Sequence, residues 1–102
     1  MTARTPAQKA AALRDGKWCQ WCLKQSRLVP ATDVHHLAGR HKETDVPELC
    51  VSLCRSCHDN VGQHRGEPTL DQLLDLMWEF HKLDLRILLP IIRSGNKHIG
   101  FK

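Results

Sequence analysis

Two Cys-x2-Cys pairs constrain this chain more than any other feature of its sequence. Cys19 and Cys22 form the first pair, Cys54 and Cys57 form the second, and residues 23–53 lie between them. Each pair places two sulfur atoms on one tight turn, and four thiolates are a common ligand set for a tetrahedral structural zinc site. The spacing therefore predicts a structural Zn2+ bound by all four cysteines, which would close a long loop in a chain with a small core.

Other uses of the cysteines fit the sequence less well. Disulfides would require export, yet residues 1–16 do not resemble a signal peptide and the total of five cysteines is odd. A redox pair would be expected within a thioredoxin-like βαβ pattern, which the sequence does not suggest. Haem attachment at residues 54–58 would also need export and would leave the first pair without a purpose. Cys50 is predicted to be a small apolar side chain on the strand that leads into the second cysteine pair.

Composition indicates an ordinary globular protein. Of its 102 residues, 41% are hydrophobic and 25% are charged. The longest apolar run, residues 85–92, contains Arg86 and Pro90 and is shorter than the roughly 20 residues that a membrane span needs. We therefore expect a cytoplasmic protein that does not associate with membranes.

Charge is distributed unevenly along the chain. The net charge is +4, but residues 1–42 and 85–102 are basic whereas residues 43–84 are acidic. Basic ends suit a polyanionic partner such as nucleic acid, although excess lysine and arginine also keep small domains soluble.

Local patterns predict an α+β fold. Residues 6–15 begin with a proline and precede a glycine, which favours a short helix. Residues 28–37 are expected to be extended and hairpin-like, and residues 51–53 to form a brief strand after an intervening loop. A short helix is expected to follow the second cysteine pair and to end at Gly62 or Gly66.

The clearest helix signal lies in the last third of the chain. Thr69 and Gln72 fit a capping box, so a helix should begin there. A further helix is predicted over residues 83–92, disturbed at Pro90. The helix after Thr69 carries a stripe of residues at helical spacing that should face the core: Leu70, Leu73, Leu74, Met77, Phe80 and His81.

Three histidines lie where the predicted strand and the second cysteine pair end. Neighbouring side chains on a strand point in opposite directions, so His35 and His36 are expected to have different roles. If His58 lies near the end of that strand, His35 and His58 can share a metal ion while His36 faces a substrate water.

These motifs together resemble the zinc-knuckle HNH endonucleases of phages, restriction systems and mobile elements. The resemblance covers residues 18–66 and implies a ββα-metal fold, in which a hairpin and a helix embrace a catalytic divalent ion. It implies that His36 is the general base and that His35 and His58 bind the catalytic ion, which would be Mg2+, Mn2+, Ni2+ or Zn2+. The residues that carry it are Cys19-x2-Cys22, Val34-His35-His36-Leu37 and Val51-Ser52-Leu53-Cys54-Arg55-Ser56-Cys57-His58.

The resemblance also implies a domain plan and a reaction. Residues 1–17 would be a basic helical segment, residues 18–66 the catalytic core, and residues 67–102 a helical segment. The reaction would be hydrolysis of DNA phosphodiesters that leaves 3′-hydroxyl and 5′-phosphate ends, in the host cytoplasm if the chain is phage-encoded. The partners implied are DNA and a phage or mobile-element protein. The cations expected to contact the DNA backbone are Arg40, Lys42, Arg55 and Arg65.

The chain departs from the family pattern at two positions. Leu49 stands where the family usually has its middle asparagine, and Gly62 stands where some members have a further histidine ligand. An alternative interpretation is therefore a catalytically impaired, zinc-stabilised module that binds DNA or protein. A third is a structural zinc adaptor whose carboxy-terminal helices dock a partner.

Overall fold

A computed structural model describes residues 4–39, 44–88 and 90, which form a small α+β fold with a two-stranded antiparallel sheet surrounded by helices. The predicted α+β class is therefore confirmed. In chain order the elements are α1 (Pro6–Arg14), α2 (Gln20–Lys24), β1 (Asp33–His36), a 3-10 turn (Pro47–Leu49), β2 (Cys50–Leu53), α3 (Arg55–Gly62) and α4 (Leu70–His81).

Helices α1 and α4 begin with the same capping arrangement. The hydroxyl of Thr5 accepts a hydrogen bond from the amide of Gln8, whose side chain accepts one from the Thr5 amide. Thr69 and Gln72 repeat this exchange at α4, which confirms the predicted start. Each box satisfies amides that have no partner within the helix.

The two strands pair in a register that places the histidines beside the start of β2. His35 lies opposite Val51, and His36 lies opposite Cys50. Only Cys54 separates β2 from α3, so the first turn of α3 returns beside the amino-terminal end of β1. This arrangement brings His58, on α3, back to the strand that carries His35.

Each cysteine pair opens a helix. Cys19 and Cys54 are the residues before α2 and α3, and both have extended backbones. Their partners Cys22 and Cys57 lie in the first turns of those helices. The predicted helix after the second pair therefore begins earlier than expected, at Arg55, and α2 was not predicted.

Two buried clusters hold these elements together. Strand β2 is buried along its whole length and joins the cysteines, α3 and α4 in the main core. Cys50 lies on a strand, as predicted, and its side chain is buried. It belongs to a smaller cluster that packs α1 against the sheet, made of Ala7, Ala11, Ala12, Val34 and Cys50.

Polar contacts at the end of α1 fix its position on β2. Arg14 donates hydrogen bonds to the carbonyl of Cys50 at 2.6 Å and to the carboxylate of Asp15 at 2.8 Å. That carboxylate accepts the amide of Ser52 at 2.9 Å. Asp15 is buried, and its carboxylate is stabilised there by its hydrogen bonds to Arg14 and to the strand amide.

The carboxy-terminal region continues beyond α4. Residues 83 and 84 are not helical, residues 85–88 are helical, and residues 89, 91 and 92 of the helix predicted over 83–92 lie outside the described residues. None of the helices in the described part of the chain combines the length and apolar character that crossing a membrane requires.

Candidate metal centre and histidine cleft

The four paired cysteines meet at one point between α2 and α3. Their sulfur atoms all lie within 4.8 Å of one another. The Sγ of Cys22 lies 3.9 Å from that of Cys54 and 3.8 Å from that of Cys57. Zinc bonded tetrahedrally to sulfur at about 2.3 Å separates its ligands by about 3.8 Å. The cluster can therefore hold a structural metal ion such as zinc.

The surroundings of the cluster suit a cation. Cys19, Cys22 and Cys57 are buried, and Cys54 is partly buried. Burial and the neighbouring Cys19 raise the pKa of Cys22 to about 11. Burial also raises the pKa of Cys57, so these two thiols resist ionisation on their own, whereas a bound cation would stabilise them as thiolates.

An open cleft of about 730 Å³ lies across β1 and the start of α3. It is lined by all three of the histidines singled out in the sequence, His35, His36 and His58. Asp33 and two arginines, Arg4 and Arg55, also line it. The cleft therefore combines potential metal ligands with positive charge.

His35 and His58 lie close enough to share an ion. Their ring centroids are 5.1 Å apart and the ring planes are inclined by 63°. Two imidazoles bound to one ion at about 2.1 Å have centroids roughly 4.6–5.3 Å apart. The observed separation falls within that interval.

Asp33 orients His58. One carboxylate oxygen lies 2.7 Å from Nδ1 of His58, and the other lies 3.4 Å from the guanidinium of Arg55. A proton held on Nδ1 by this carboxylate leaves Nε2 as the free lone pair, which is the usual arrangement of a metal-binding histidine. The sequence analysis missed Asp33, although its position two residues before His35 on a predicted strand places both on one face.

A second carboxylate holds His36. Its Nε2 lies 2.9 Å from Oδ1 of Asp45, and that oxygen also accepts the Thr5 hydroxyl at 2.8 Å. The carbonyl of Leu49, the residue expected at the asparagine position of the resembled family, accepts a hydrogen bond from the amide of Leu37 at 2.8 Å. Asp45 lies in a segment predicted only as loop, so the pattern gave no reason to single it out.

The histidines of the cleft differ in environment. Burial, followed by the charges of His58 and His36, lowers the pKa of His35 to about 4. At neutral pH His35 is therefore uncharged, as a metal ligand must be. His36 is more deeply buried, with 9% of its surface exposed.

The predicted DNA-contacting residues occupy different places. Arg55 lines the cleft with 70% of its side chain exposed. Arg65 is exposed beyond the end of α3 and is not among the cleft residues. Arg40 and Lys42 lie outside the described residues. Arg4, which was not predicted, lines the cleft and donates a hydrogen bond to the Thr32 carbonyl at 3.2 Å.

Comparison of the chain with protein-family models, with curated proteins and with solved structures finds no match.

Proposed function

We propose that the protein is a metal-dependent DNA endonuclease of the HNH type, with the four-cysteine cluster as its structural zinc site. The observation that carries the proposal is the cleft itself, where three histidines, two of them held by carboxylates, lie beside arginines. Two imidazoles close enough to share an ion, a third imidazole hydrogen-bonded to a carboxylate, and nearby cations are parts that metal-assisted hydrolysis of a phosphodiester can use.

His35 and His58 would hold the catalytic divalent ion. The low pKa of His35 favours its neutral, metal-binding form, and the Asp33 carboxylate orients the His58 ring with Nε2 left for an ion. When bound, Mg2+, Mn2+, Ni2+ or Zn2+ would polarise the scissile phosphate and stabilise the departing oxygen. With two protein ligands the site would keep positions open for substrate and water.

His36 would act as the general base. With Nε2–H donating a hydrogen bond to Asp45, Nδ1 of His36 would carry the lone pair that accepts a proton from water. The carboxylate then stabilises the imidazolium that forms, as in other carboxylate–histidine pairs. Asp45 would thus perform the orienting role that the family asparagine position, Leu49, does not perform through its side chain.

The cleft arginines would bind the DNA backbone. Arg4, from the segment before α1, and Arg55, from α3, both line the cleft, so a phosphate beside the histidines would meet positive charge. Contacts of this kind carry no sequence information, so the domain alone should cut with little sequence preference. The resemblance implies a phage or mobile-element protein as a further partner.

Cleavage of plasmid DNA tests the base directly. In zinc-loaded protein with added Mg2+ or Mn2+, we expect His36→Ala to cleave at least about 100-fold more slowly than wild type. His64→Asn is the matched control, because His64 is an exposed histidine with a left-handed backbone that asparagine tolerates. Zinc content and DNA affinity of both variants should stay near the wild-type values.

Two results would overturn parts of the proposal. Equal cleavage by His36→Ala and wild type would remove His36 as the base. DNA binding by wild type without cleavage in any of the four divalent ions would instead favour a zinc-stabilised binding module.

A further inference from the structure

We infer that His36, Asp45 and Cys50 form a second metal site that takes a thiophilic ion of the zinc class and thereby inhibits the protein. Binding at this site stands on the geometry of the three side chains alone. The inhibition rests on the proposed function, because it assumes that His36 is the catalytic base.

The fold brings the three side chains together from separate segments. The strand register sets His36 opposite Cys50, and Asp45 lies just before the turn that leads into β2. The imidazole nitrogen, a carboxylate oxygen and the sulfur all lie within 4.8 Å of one another. Ligands of a tetrahedral zinc ion are about 3.3–3.6 Å apart for these atom types, so shifts of about 1 Å would complete the site.

The ligand chemistry selects the class of ion. Thiolate and imidazole favour zinc and similar soft or borderline ions, whereas Mg2+ prefers oxygen ligands. The His35–His58 pair contains no sulfur, so Cys50 distinguishes the two sites. One imidazole, one carboxylate and one thiolate carry two negative charges, which a divalent ion would neutralise in this buried region.

The burial of the three groups indicates what an entering ion would displace and from which side it would come. Burial, followed by the Asp45 carboxylate, raises the pKa of Cys50 to about 11, so the thiol is protonated until an ion displaces its proton. Cys50 is completely buried and the His36 ring nearly so, whereas the Asp45 side chain is 26% exposed. Asp45 therefore lies on the side from which an ion can enter.

Occupation of the site would disable His36 through its tautomer. Nε2 of His36 lies 2.9 Å from the Asp45 carboxylate, so an ion shared with Asp45 would take Nε2, and the neutral ring would carry its proton on Nδ1. Nδ1 is the nitrogen that would accept a proton from water, and it then has no lone pair to do so. The Asp45 carboxylate would also turn from the ring to the ion.

Cobalt binding tests the site without reference to catalysis. In protein whose four-cysteine site is filled with zinc, added Co2+ should produce a near-ultraviolet sulfur-to-cobalt charge-transfer band that saturates at one equivalent. Cys50→Ala should abolish the band while keeping its zinc, and His35→Ala should retain the band because it alters only the cleft pair. Asp45→Asn should weaken cobalt binding by at least about tenfold, since even changes behind a ligand weaken metal binding by about 10–100-fold.

Zinc inhibition of DNA cleavage tests the consequence. With Mg2+ present, added Zn2+ should slow wild-type cleavage at least about tenfold. The same addition should slow cleavage by Cys50→Ala far less, relative to the rate of that variant without added Zn2+. No band in wild type, or an equal band in Cys50→Ala, would overturn the site. Equal zinc inhibition of the two proteins would overturn the regulatory role. A band in a protein that does not cleave DNA would support the site and contradict the proposed function instead.

Discussion

The cysteine cluster and the histidine cleft share one helix but differ in how their side chains are held. Cys57 and His58 are neighbours in the first turn of α3, yet Cys57 faces the buried sulfur cluster and His58 faces the open cleft. The sulfur atoms already stand at metal-ligand spacing, whereas a hydrogen bond to Asp33 orients the His58 ring. Closed ligand sets are typical of structural metal sites, and open ones of catalytic sites.

Because of this difference, a metal ion should matter for folding at the cysteine cluster and for binding and chemistry at the cleft. A metal ion in the cysteine cluster would fix the start of α3 and, through it, the position of His58. Removing an ion from the cleft would leave the hydrogen bonds of its side chains intact. Changes to the cluster should therefore affect folding, whereas changes to the cleft should affect binding and chemistry.

The largest effect is expected at the cluster. Cys54→Ser should lose the structural metal and unfold at 25 °C, because the binding energy of such a metal is folding energy and small domains have only about 5–15 kcal/mol of stability. Cys50→Ala is the matched control, and it should keep one zinc per chain and a cooperative unfolding transition. Elemental analysis and circular dichroism measure both. Retained zinc and structure in Cys54→Ser would show that the cluster is not the metal site.

A smaller effect is expected from the carboxylate behind His58. Asp33→Asn should weaken divalent-ion binding in the cleft by about 10–100-fold, because the amide holds the ring and its tautomer less strongly. Calorimetric titration of zinc-loaded protein with Mn2+ measures the affinity. Asp71→Asn, whose side chain is 86% exposed, serves as the control. Equal affinities for the two variants would argue against Asp33 as the orienting group.

Replacing either cleft arginine, Arg4 or Arg55, should weaken DNA binding moderately, whatever the DNA sequence. Arg4→Gln and Arg55→Gln should each reduce the slope of log affinity against log salt by about one unit. Fluorescence anisotropy over a range of salt concentrations measures this slope. Arg86→Gln is the control, since Arg86 pairs with Asp75 on α4 away from the cleft. A slope change in that variant as large as in the other two would contradict the cleft as the DNA-binding surface.

The smallest effect concerns pH. In the metal-free cleft the His35 ring should titrate near pH 4 rather than near its ordinary 6.5. The unfolded chain would take up this proton near pH 6.5 and the folded protein only near pH 4, so stability should fall as the pH drops between these values. Nuclear magnetic resonance of the ring carbons gives the midpoint. A midpoint near 6.5 would mean that the ring is not buried as described.

The strongest local patterns predicted the scaffold. The two cysteine pairs indicated the cluster because ligand spacing is a local property, and the capping box at Thr69 located α4. Helix α2 was missed because its five residues are too few for a periodic signal. The 3-10 turn before β2 was missed for the same reason.

The cleft could be predicted only in part. The three histidines were singled out from their positions, but their carboxylate partners were not. Asp33 contacts a residue 25 positions away, and Asp45 reaches His36 from a loop. Such contacts depend on the strand register and the loop path, which no local pattern encodes.

Plasmid cleavage by zinc-loaded protein, measured without and then with a divalent ion for the cleft, shows whether His35 and His58 hold a catalytic ion. Zinc-loaded protein, dialysed free of other ions, should leave supercoiled plasmid intact and should cut it as Mn2+ or Mg2+ is restored. The His35→Ala, His58→Ala double variant should keep its zinc and fold but cut at least about 100-fold more slowly at every ion concentration. Equal cutting by the double variant and wild type, or no cutting by wild type under any condition, would mean that the cleft is not a metal-dependent nuclease site.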